Sequence, residues 1–269
     1  MPLVQVGALR LFHEVAGSGE PVLMLMGLGG DHHGWDLVRG DLVRNHRLVL
    51  LDNRDAGASG EASAPYQLAD MAADALAVMD RLDVARFHLM GASMGGAIAQ
   101  RIALAAPERV ASLALVSTWG RTDAFLAAIH RSWLQLAATL DPEVFLSVQA
   151  PWAFTSHFFA SPPPAVVALQ EGFRARGALR SVPAYQRQVD ACLGHDALPA
   201  LAAVRAPTLV LVGEEDILTP PRHAHELTAA IPGARLASLP ATGHACFLES
   251  APAVGRTLAE FLGAHRVRA

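Results

Sequence analysis

Residues 86–97 read Arg-Phe-His-Leu-Met-Gly-Ala-Ser-Met-Gly-Gly-Ala, and this stretch decides the fold. An apolar run of strand length leads into a window with three glycines, and a segment with helical spacing follows it. Glycine loses more backbone freedom on folding than any other residue, so three glycines in one short window indicate a sharp bend or very close packing. The pattern predicts a strand, a tight turn at Ser93 and a helix that begins directly after the turn.

The turn has the spacing of a reactive serine. Gly91-Ala-Ser-Met-Gly95 matches the G-x-S-x-G pattern, in which a strained strand-to-helix turn holds the serine hydroxyl at the edge of a sheet. The neighbours two positions to either side must lack side chains, because the tight turn brings them against other backbone. The alternative is a glycine-rich turn with an incidental serine. The strand before and the helix after favour the catalytic interpretation, since a motif counts only in its structural context.

A serine is a poor nucleophile without a base, which an acid in turn orients. For this turn the expected order along the chain is serine, then an acid, then histidine. Asp216 follows the apolar run at 208–212, and His244 follows the run at 235–239 in a glycine-flanked loop. We therefore predict that Ser93, Asp216 and His244 are catalytic. The neighbouring acids that remain alternatives to Asp216 are Glu214 and Glu215.

A tetrahedral intermediate also needs two backbone N–H donors, which together form an oxyanion hole. One is expected from the residue after the nucleophile, Met94. The other is expected from the loop Met26-Gly-Leu-Gly-Gly30, where Gly27 lets the chain turn and Leu28 supplies the N–H.

Strand-like runs alternate with helical spacing along the rest of the chain, which predicts a parallel sheet covered on both faces. The pattern is interrupted at residues 119–204, which are rich in aromatic residues and proline and show helical spacing with no clear strand. We predict an α/β core at 1–118 and 205–269, with 119–204 inserted as a helical cap, or lid. The predicted strands are 21–26, 47–51, 86–90, 110–116, 208–212 and 235–239.

Composition excludes several other classes of protein. The formal net charge of the 269 residues is −4 with no long basic run, so nucleic-acid binding has no electrostatic support. Apolar stretches are of strand length, far from the roughly 20 residues of a membrane span. The N-terminus does not resemble a signal peptide, and the two cysteines do not suggest a disulfide scaffold, so we expect a cytoplasmic location. We expect no cofactor and no metal, because the adjacent histidines His32 and His33 rarely point to one ion.

Five segments carry a recognisable pattern across essentially the whole chain: 26–30, 52–57, 91–95, 213–216 and 243–244. Taken together they resemble the α/β-hydrolase superfamily. The resemblance implies an eight-stranded, mostly parallel core with a helical cap inserted after the sixth strand.

Three segments carry details of a particular branch, namely 26–30, 117–121 and 243–247. They are similar to the branch of aminoacrylate hydrolases, 3-oxoadipate enol-lactonases and esterases. Many relatives carry His in place of Met26 and Gly in place of Asp55.

The expected function is hydrolysis of a small-to-medium carboxylic ester or lactone through an acyl-enzyme. Hydrolysis of a carbon–carbon bond, as in meta-cleavage products, and hydrolysis of an aminoacrylate-type substrate use the same three residues and remain alternatives. A ligand receptor with slow or no turnover is a second alternative. The expected partner is the small-molecule substrate, and assembly as a homodimer is left open. The residues predicted to line the substrate pocket are Gly27, Trp119, Trp133, Trp152 and Phe154.

Overall fold

The computed structural model describes residues 2–177 and 180–267, which form one eight-stranded sheet in the order β1-β2-β4-β3-β5-β6-β7-β8. The pairs β1/β2 and β2/β4 are antiparallel, and the remaining neighbours are parallel. This confirms the predicted eight-stranded, mostly parallel sheet. The strands are β1 Leu3–Val6, β2 Leu9–Ala16, β3 Glu20–Leu25, β4 His46–Leu51, β5 Phe87–Ala92, β6 Val110–Val116, β7 Thr208–Gly213 and β8 Arg235–Leu239.

The central strands are continuous apolar runs because both faces of the sheet are covered. In β3, Val22 and Met24 belong to one core cluster, whereas Leu23 and Leu25 belong to the other. All four side chains are fully buried. A strand with its two faces in two different cores cannot alternate between polar and apolar residues, and this explains why these strands could be read from the sequence.

Helices α2 and α3 pack in the cluster that contains Leu23 and Leu25, and α1 and α11 pack in the cluster that contains Val22 and Met24. No helix in the described part of the chain combines the length and hydropathy that a bilayer-crossing segment requires. The helices are α1 Arg39–Leu42, α2 Leu68–Arg81, α3 Met94–Ala105, α4 Ala124–Thr139, α5 Pro142–Ala153, α6 Ser156–Ala160, α7 Pro164–Ala175, α8 Val182–Leu193, α9 Pro221–Ala230, α10 Cys246–Glu249 and α11 Ala251–Gly263, with 3-10 turns at His32–Trp35, Pro107–Arg109 and Leu198–Ala203.

The first two strands were not identified from the apolar pattern. β1 and β2 form an antiparallel hairpin at one edge of the sheet, with a turn in which Gly7 has a φ of 55°. Every residue of β1 is exposed or half-buried, and only two of the eight residues of β2 are buried. An edge hairpin of this kind lacks the long apolar run by which the central strands were recognised.

The segment between β6 and β7 contains helices α4–α8, and its described residues form no strand apart from one isolated bridge. Helix α8 is attached to two loops at the carboxyl edge of the sheet through Gln188. Its side-chain oxygen accepts a hydrogen bond of 2.9 Å from the N–H of Gly29, and its amide nitrogen donates one of 2.8 Å to the carbonyl oxygen of Arg54. The insertion is therefore hydrogen-bonded to the loops that follow β3 and β4.

Asp55 provides a second attachment of the insertion. Its φ of 67° lies in the left-handed region, which Asp tolerates better than most residues and which glycine occupies freely. Its fully buried carboxylate accepts two hydrogen bonds from Arg187 of α8, at 2.7 and 2.8 Å, and one from the N–H of Ala62 at 2.8 Å. Asp at this position thus keeps the backbone conformation and adds an ion pair that glycine could not form.

We expect replacement of Arg187 by Met to lower the free energy of unfolding by about 3 kcal/mol, because it leaves the buried carboxylate of Asp55 without its counter-charge. Arg121→Met is the matched control, since Arg121 pairs with Asp196 where both side chains are about half exposed. That exposed pair should contribute less than about 1 kcal/mol. Equal losses in the two variants, measured by urea unfolding, would contradict the role given to Asp55.

Candidate active site

Ser93 lies between the end of β5 and the start of α3, with φ 54° and ψ −121°. A non-glycine residue in this region is strained and persists only where the surroundings fix it. Here the N–H of Ser93 donates to the carbonyl oxygen of Val116 at 2.9 Å, and its own carbonyl oxygen accepts from Thr118 Oγ1 at 2.7 Å and from the N–H groups of Gly96 and Ala97. Strand β6 and helix α3 thus hold the turn from both sides.

The glycines flanking Ser93 are required by close backbone contacts. A Cβ atom at Gly91 would collide with the carbonyl group of Gly95, and a Cβ at Gly95 would collide with the carbonyl group of Leu25. Side chains are therefore excluded two positions to either side of Ser93, as the sequence pattern predicts. The clash at Gly95 is with the backbone of β3, which cannot move without disturbing the centre of the sheet.

The structure brings Ser93, His244 and Asp216 together from three different loops. His244 Nε2 lies 3.0 Å from Ser93 Oγ, and His244 Nδ1 lies 2.9 Å from Asp216 Oδ2. The second distance indicates that Nδ1 carries the proton and donates it to the carboxylate, which leaves Nε2 to accept from the serine hydroxyl. Asp216 is buried, whereas the two acids that precede it, Glu214 and Glu215, are exposed, so the geometry selects Asp216 among the three.

The carboxylate of Asp216 is held by further donors from the loop after β7. Its Oδ1 accepts from the N–H groups of Leu218 at 3.0 Å and Thr219 at 2.8 Å. Its Oδ2 accepts from Thr219 Oγ1 at 2.8 Å, and this hydroxyl also lies 3.1 Å from His244 Nδ1. Thr219 therefore touches both partners of the pair and fixes their relative position.

The two residues whose N–H groups are predicted to form the oxyanion hole, Leu28 and Met94, both lie close to Ser93. Met94 is the first residue of α3, and Leu28 lies in the loop after β3, directly after Gly27. A Cβ at Gly27 would come within 3.0 Å of Ser93 Cβ, so this loop passes directly beside the serine. Within the described part of the chain, neither N–H donates to a protein acceptor. Both are free to bind a developing anion.

A cavity of about 280 Å³ lies beside Ser93 and His244, between the loops at the carboxyl edge of the sheet and the helices of the insertion. Most of its lining residues are buried or half-buried, and the lining also includes the exposed arginines Arg174 and Arg176. Four of the five residues predicted for the pocket line it, namely Gly27, Trp119, Trp133 and Phe154.

Trp152, the fifth residue predicted for the pocket, does not line this cavity. The residues of α5 that line the cavity lie three or four positions apart and so form one face of the helix. Trp152 falls outside that face, and its ring packs instead against Phe125 with a centroid distance of 6.4 Å. The position of Trp152 in the helical turn of α5 therefore places its ring outside the cavity. The lining residues of α5 are Leu146, Gln149, Ala150 and Ala153.

Several lining residues were not identified from the sequence. His130 lies on α4 one turn from both Leu126 and Trp133, and all three line the cavity. Its ring is 3% exposed, and burial lowers its pKa to about 4. Tyr185 of α8 also lines the cavity. A helical stripe from 126 through 130 to 133 was the available signal, but a single histidine on an apolar stripe does not differ in pattern from a core histidine.

The histidines near the edges of the sheet are occupied by hydrogen bonds. His32 Nδ1 pairs with Asp52 at 2.8 Å, and His33 Nδ1 pairs with Asp36 at 2.8 Å, so the two adjacent rings face different carboxylates. At the amino ends of the strands, the ligand atoms of three residues lie within 4.8 Å of one another, but each ring has a hydrogen-bond partner. These residues are Glu20, His46 and His88, with partners Leu42 for His46, and Ser112 and Glu20 for His88.

Comparisons with known proteins show the family to which the chain belongs. The sequence profile of the alpha/beta hydrolase fold matches residues 20–251. A relative from Azorhizobium caulinodans, provisionally named carbamate hydrolase RutD, is 31% identical over 248 residues, which cover 91% of this chain and 92% of the relative. One of the same provisional name from Variovorax paradoxus is 34% identical, covering 94% and 96%. The crystal structure of the enol-lactonase from Burkholderia xenovorans LB400 superposes with a TM-score of 0.89 at 26% identity, covering 97% and 100%.

We expect Gly95→Ala to lower the free energy of unfolding by about 3 kcal/mol or more, because the added methyl group meets the backbone of β3. Gly40→Ala is the matched control: Gly40 lies in helix α1 with open space where the methyl group would point. Alanine there should leave stability unchanged or raise it by up to about 1 kcal/mol. Urea unfolding of both variants measures the difference, and a Gly95→Ala protein as stable as wild type would contradict the close approach.

Proposed function

The chain is a hydrolase of the alpha/beta hydrolase fold family, and we propose that it cleaves a small-to-medium carboxylic ester or lactone through an acyl-enzyme on Ser93. The observation that carries this proposal is the continuous pair of hydrogen bonds from Ser93 through His244 to Asp216, at 3.0 and 2.9 Å. This is the geometry of a nucleophile, its base and the acid that orients the base.

In the first half of the reaction, Ser93 Oγ attacks the carbonyl carbon of the substrate while His244 Nε2 takes the hydroxyl proton. The carbonyl oxygen becomes an oxyanion, which accepts hydrogen bonds from the N–H groups of Leu28 and Met94. Asp216 stabilises the imidazolium. His244 then gives its proton to the leaving oxygen, the carbon–oxygen bond breaks, and the acyl group remains on Ser93. For a lactone the leaving oxygen stays attached to the acyl chain.

In the second half, a water molecule takes the place of the leaving group. His244 removes a proton from the water as its oxygen attacks the acyl carbon, and the same two N–H groups hold the second oxyanion. The carbon–oxygen bond to Ser93 breaks as His244 returns the proton to Oγ. The products are a carboxylic acid and the regenerated serine.

The cavity supports a small substrate with a mainly apolar body. Its volume of about 280 Å³ is just below the range of about 300–1,000 Å³ that is usual for ligand pockets, and its walls are mainly apolar. Helices α4, α5, α7 and α8 contribute residues to the cavity, and in this proposal they act as the cap that excludes water. The enol-lactonase among the similar structures supports the lactone class.

Hydrolysis of a carbamate is the second candidate. It is favoured by the two relatives that are provisionally named carbamate hydrolase RutD. The same steps apply, with attack of Ser93 on a carbamate carbonyl. Release of ammonia from ethyl carbamate tests it directly. A kcat/KM for ethyl carbamate above that for every ester assayed would reverse the order of the two candidates.

We expect Ser93→Ala to lower kcat on p-nitrophenyl esters by about 10⁶-fold, because the variant has no nucleophile to form the acyl-enzyme and loss of a triad serine has an effect of this size. The assay compares initial rates on esters from acetate to decanoate, and the optimum gives the length of the acyl pocket. Ser63→Ala is the control, because Ser63 is an exposed serine. Activity of Ser93→Ala within tenfold of wild type would overturn the proposal.

Thr219→Val should lower kcat about tenfold or more, because it removes the hydroxyl that donates to Asp216 Oδ2 while keeping the shape of the side chain. A hydrogen bond to a charged group contributes about 1.5–3 kcal/mol. Thr219→Ser keeps the hydroxyl and should recover most of the activity. If Val and Ser variants have the same kcat, the hydroxyl does not position the pair.

A further inference from the structure

The proposed base, His244, lies in a loop that follows an edge strand. This loop, residues 240–245, comes directly after β8, which is the last strand in the sheet order and pairs with β7. On the side of β7, the N–H of Glu215 donates a hydrogen bond of 2.9 Å to the carbonyl oxygen of Thr242. The remaining attachments of the loop come from the insertion and from the chain that follows the loop.

Both neighbours of His244 in the chain are bonded to groups outside the loop. The N–H of Ala245 donates to the carbonyl oxygen of Ala153, the last residue of α5, at 2.8 Å. The N–H of Gly243 donates to Glu249 Oε2 at 2.9 Å. A Cβ atom at Gly243 would lie 3.0 Å from the carbonyl oxygen of Ala153, so the loop and the end of α5 are in close contact.

Glu249, the last residue of α10, joins the loop to the insertion. Its Oε2 binds the N–H of Gly243, and its Oε1 accepts from the N–H of Thr155 at 3.2 Å and from the hydroxyl group of the same residue. Thr155 is buried and caps the start of α6. An ionised carboxylate has acceptors on both oxygens and so can bind donors from two segments at once. Glu249 therefore fixes the loop against the insertion.

The two bonded segments carry groups that face the same cavity. Phe154 lies between the two insertion residues that form these bonds, and His244 lies between the two loop residues. Both side chains line the cavity, whereas Glu249 does not. Glu249 can therefore act on the reaction only through the residues that it holds.

The position of His244 is critical in the proposed mechanism because its ring must reach the serine hydroxyl. His244 Nε2 lies 3.0 Å from Ser93 Oγ, inside the range of about 2.6–3.2 Å that proton transfer requires. A misplacement of about 1 Å can lower a rate by about 10²-fold. Small movements of the loop should therefore appear in kcat.

We propose that Glu249 is a positioning residue for His244: its carboxylate holds the loop against the insertion and so sets the distance between His244 and Ser93. The inference rests on the proposed function, because the step that it serves is the proton transfer from Ser93. It goes further by giving a task to a residue outside the three that carry the reaction and outside the cavity.

Glu249→Gln is the first test, because it keeps the size of the side chain and replaces one acceptor oxygen by an NH₂ donor. We expect kcat on the best p-nitrophenyl ester to fall by about tenfold or more, with KM within about threefold of wild type because the cavity walls are unchanged. Glu260→Gln is the matched control, since Glu260 is exposed on the next helix, α11. A kcat of Glu249→Gln equal to that of the control overturns the inference.

Thr155 tests the other end of the same link. Thr155→Val removes the hydroxyl that donates to Glu249 and should lower kcat by about threefold, whereas Thr155→Ser keeps the hydroxyl and should recover the activity. The double variant with Glu249→Gln should be no slower than Glu249→Gln alone, because both changes break one link. Effects that multiply in the double variant contradict the inference.

A purely structural role of Glu249 is the competing explanation, and proton NMR separates the two. The Nδ1 proton of His244, which is hydrogen-bonded to Asp216, should give a low-field resonance that is absent from His244→Gln. Our inference predicts that this resonance shifts or broadens in Glu249→Gln and stays in place in Glu260→Gln. A lower unfolding midpoint with an unchanged resonance shows a structural role and overturns the inference.

The resonance also separates failure of this inference from failure of the proposed function, because it is measured without substrate. If no ester is hydrolysed but Glu249→Gln moves the resonance, Glu249 positions His244 and the proposed function falls. If hydrolysis depends on Ser93 but neither kcat nor the resonance changes in Glu249→Gln, this inference alone falls. Should Glu249→Gln fail to fold, the Val and Ser variants of Thr155 carry both measurements, and equal results for the two overturn the inference.

Discussion

The left-handed backbone at Ser93 is the constraint on which the rest of the site depends. A serine does not adopt this conformation unless the surrounding structure fixes it. Here Val116, at the end of β6, and Thr118, in the loop after it, form hydrogen bonds with Ser93, while Gly95 lies against the backbone of β3. The serine hydroxyl is thereby raised to the level of the loops that carry His244 and Asp216. The turn also leaves the N–H of Met94, at the start of α3, without an acceptor among the described residues. One strained residue thus positions both the proposed nucleophile and one proposed oxyanion donor.

The central strands could be predicted because a strand that is buried on both faces requires a continuous run of apolar residues. The same logic could not find the β1–β2 hairpin, because its side chains are largely half-exposed. At the site, the order of serine, acid and histidine along the chain indicated the three residues that the structure brings together. Glu214 and Glu215 could be set aside only when their exposure was known, since three consecutive acids in a loop have no periodicity that tells them apart.

The pocket was the least predictable part, and the reason is helical phase. Composition showed that the insertion is rich in aromatic residues, but which of them face Ser93 depends on how each helix is rotated when it packs. Trp133 faces the cavity and Trp152 does not, although both were equally plausible from the sequence. His130 was overlooked for the same reason, because the face of α4 that lines the cavity depends on how this helix packs.

The side chain of Gln188 joins parts of the protein that have separate tasks in the proposed mechanism. One end of its amide binds the N–H of Gly29, the residue after Leu28, and the other end binds the loop after β4. In the proposed mechanism, a movement of α8 would therefore pull on the loop that is expected to supply an oxyanion donor. The width of the cavity at α8 and the stabilisation of the transition state would then be coupled. Evolution toward larger substrates through a displaced α8 would first have to replace the hydrogen bonds of Gln188.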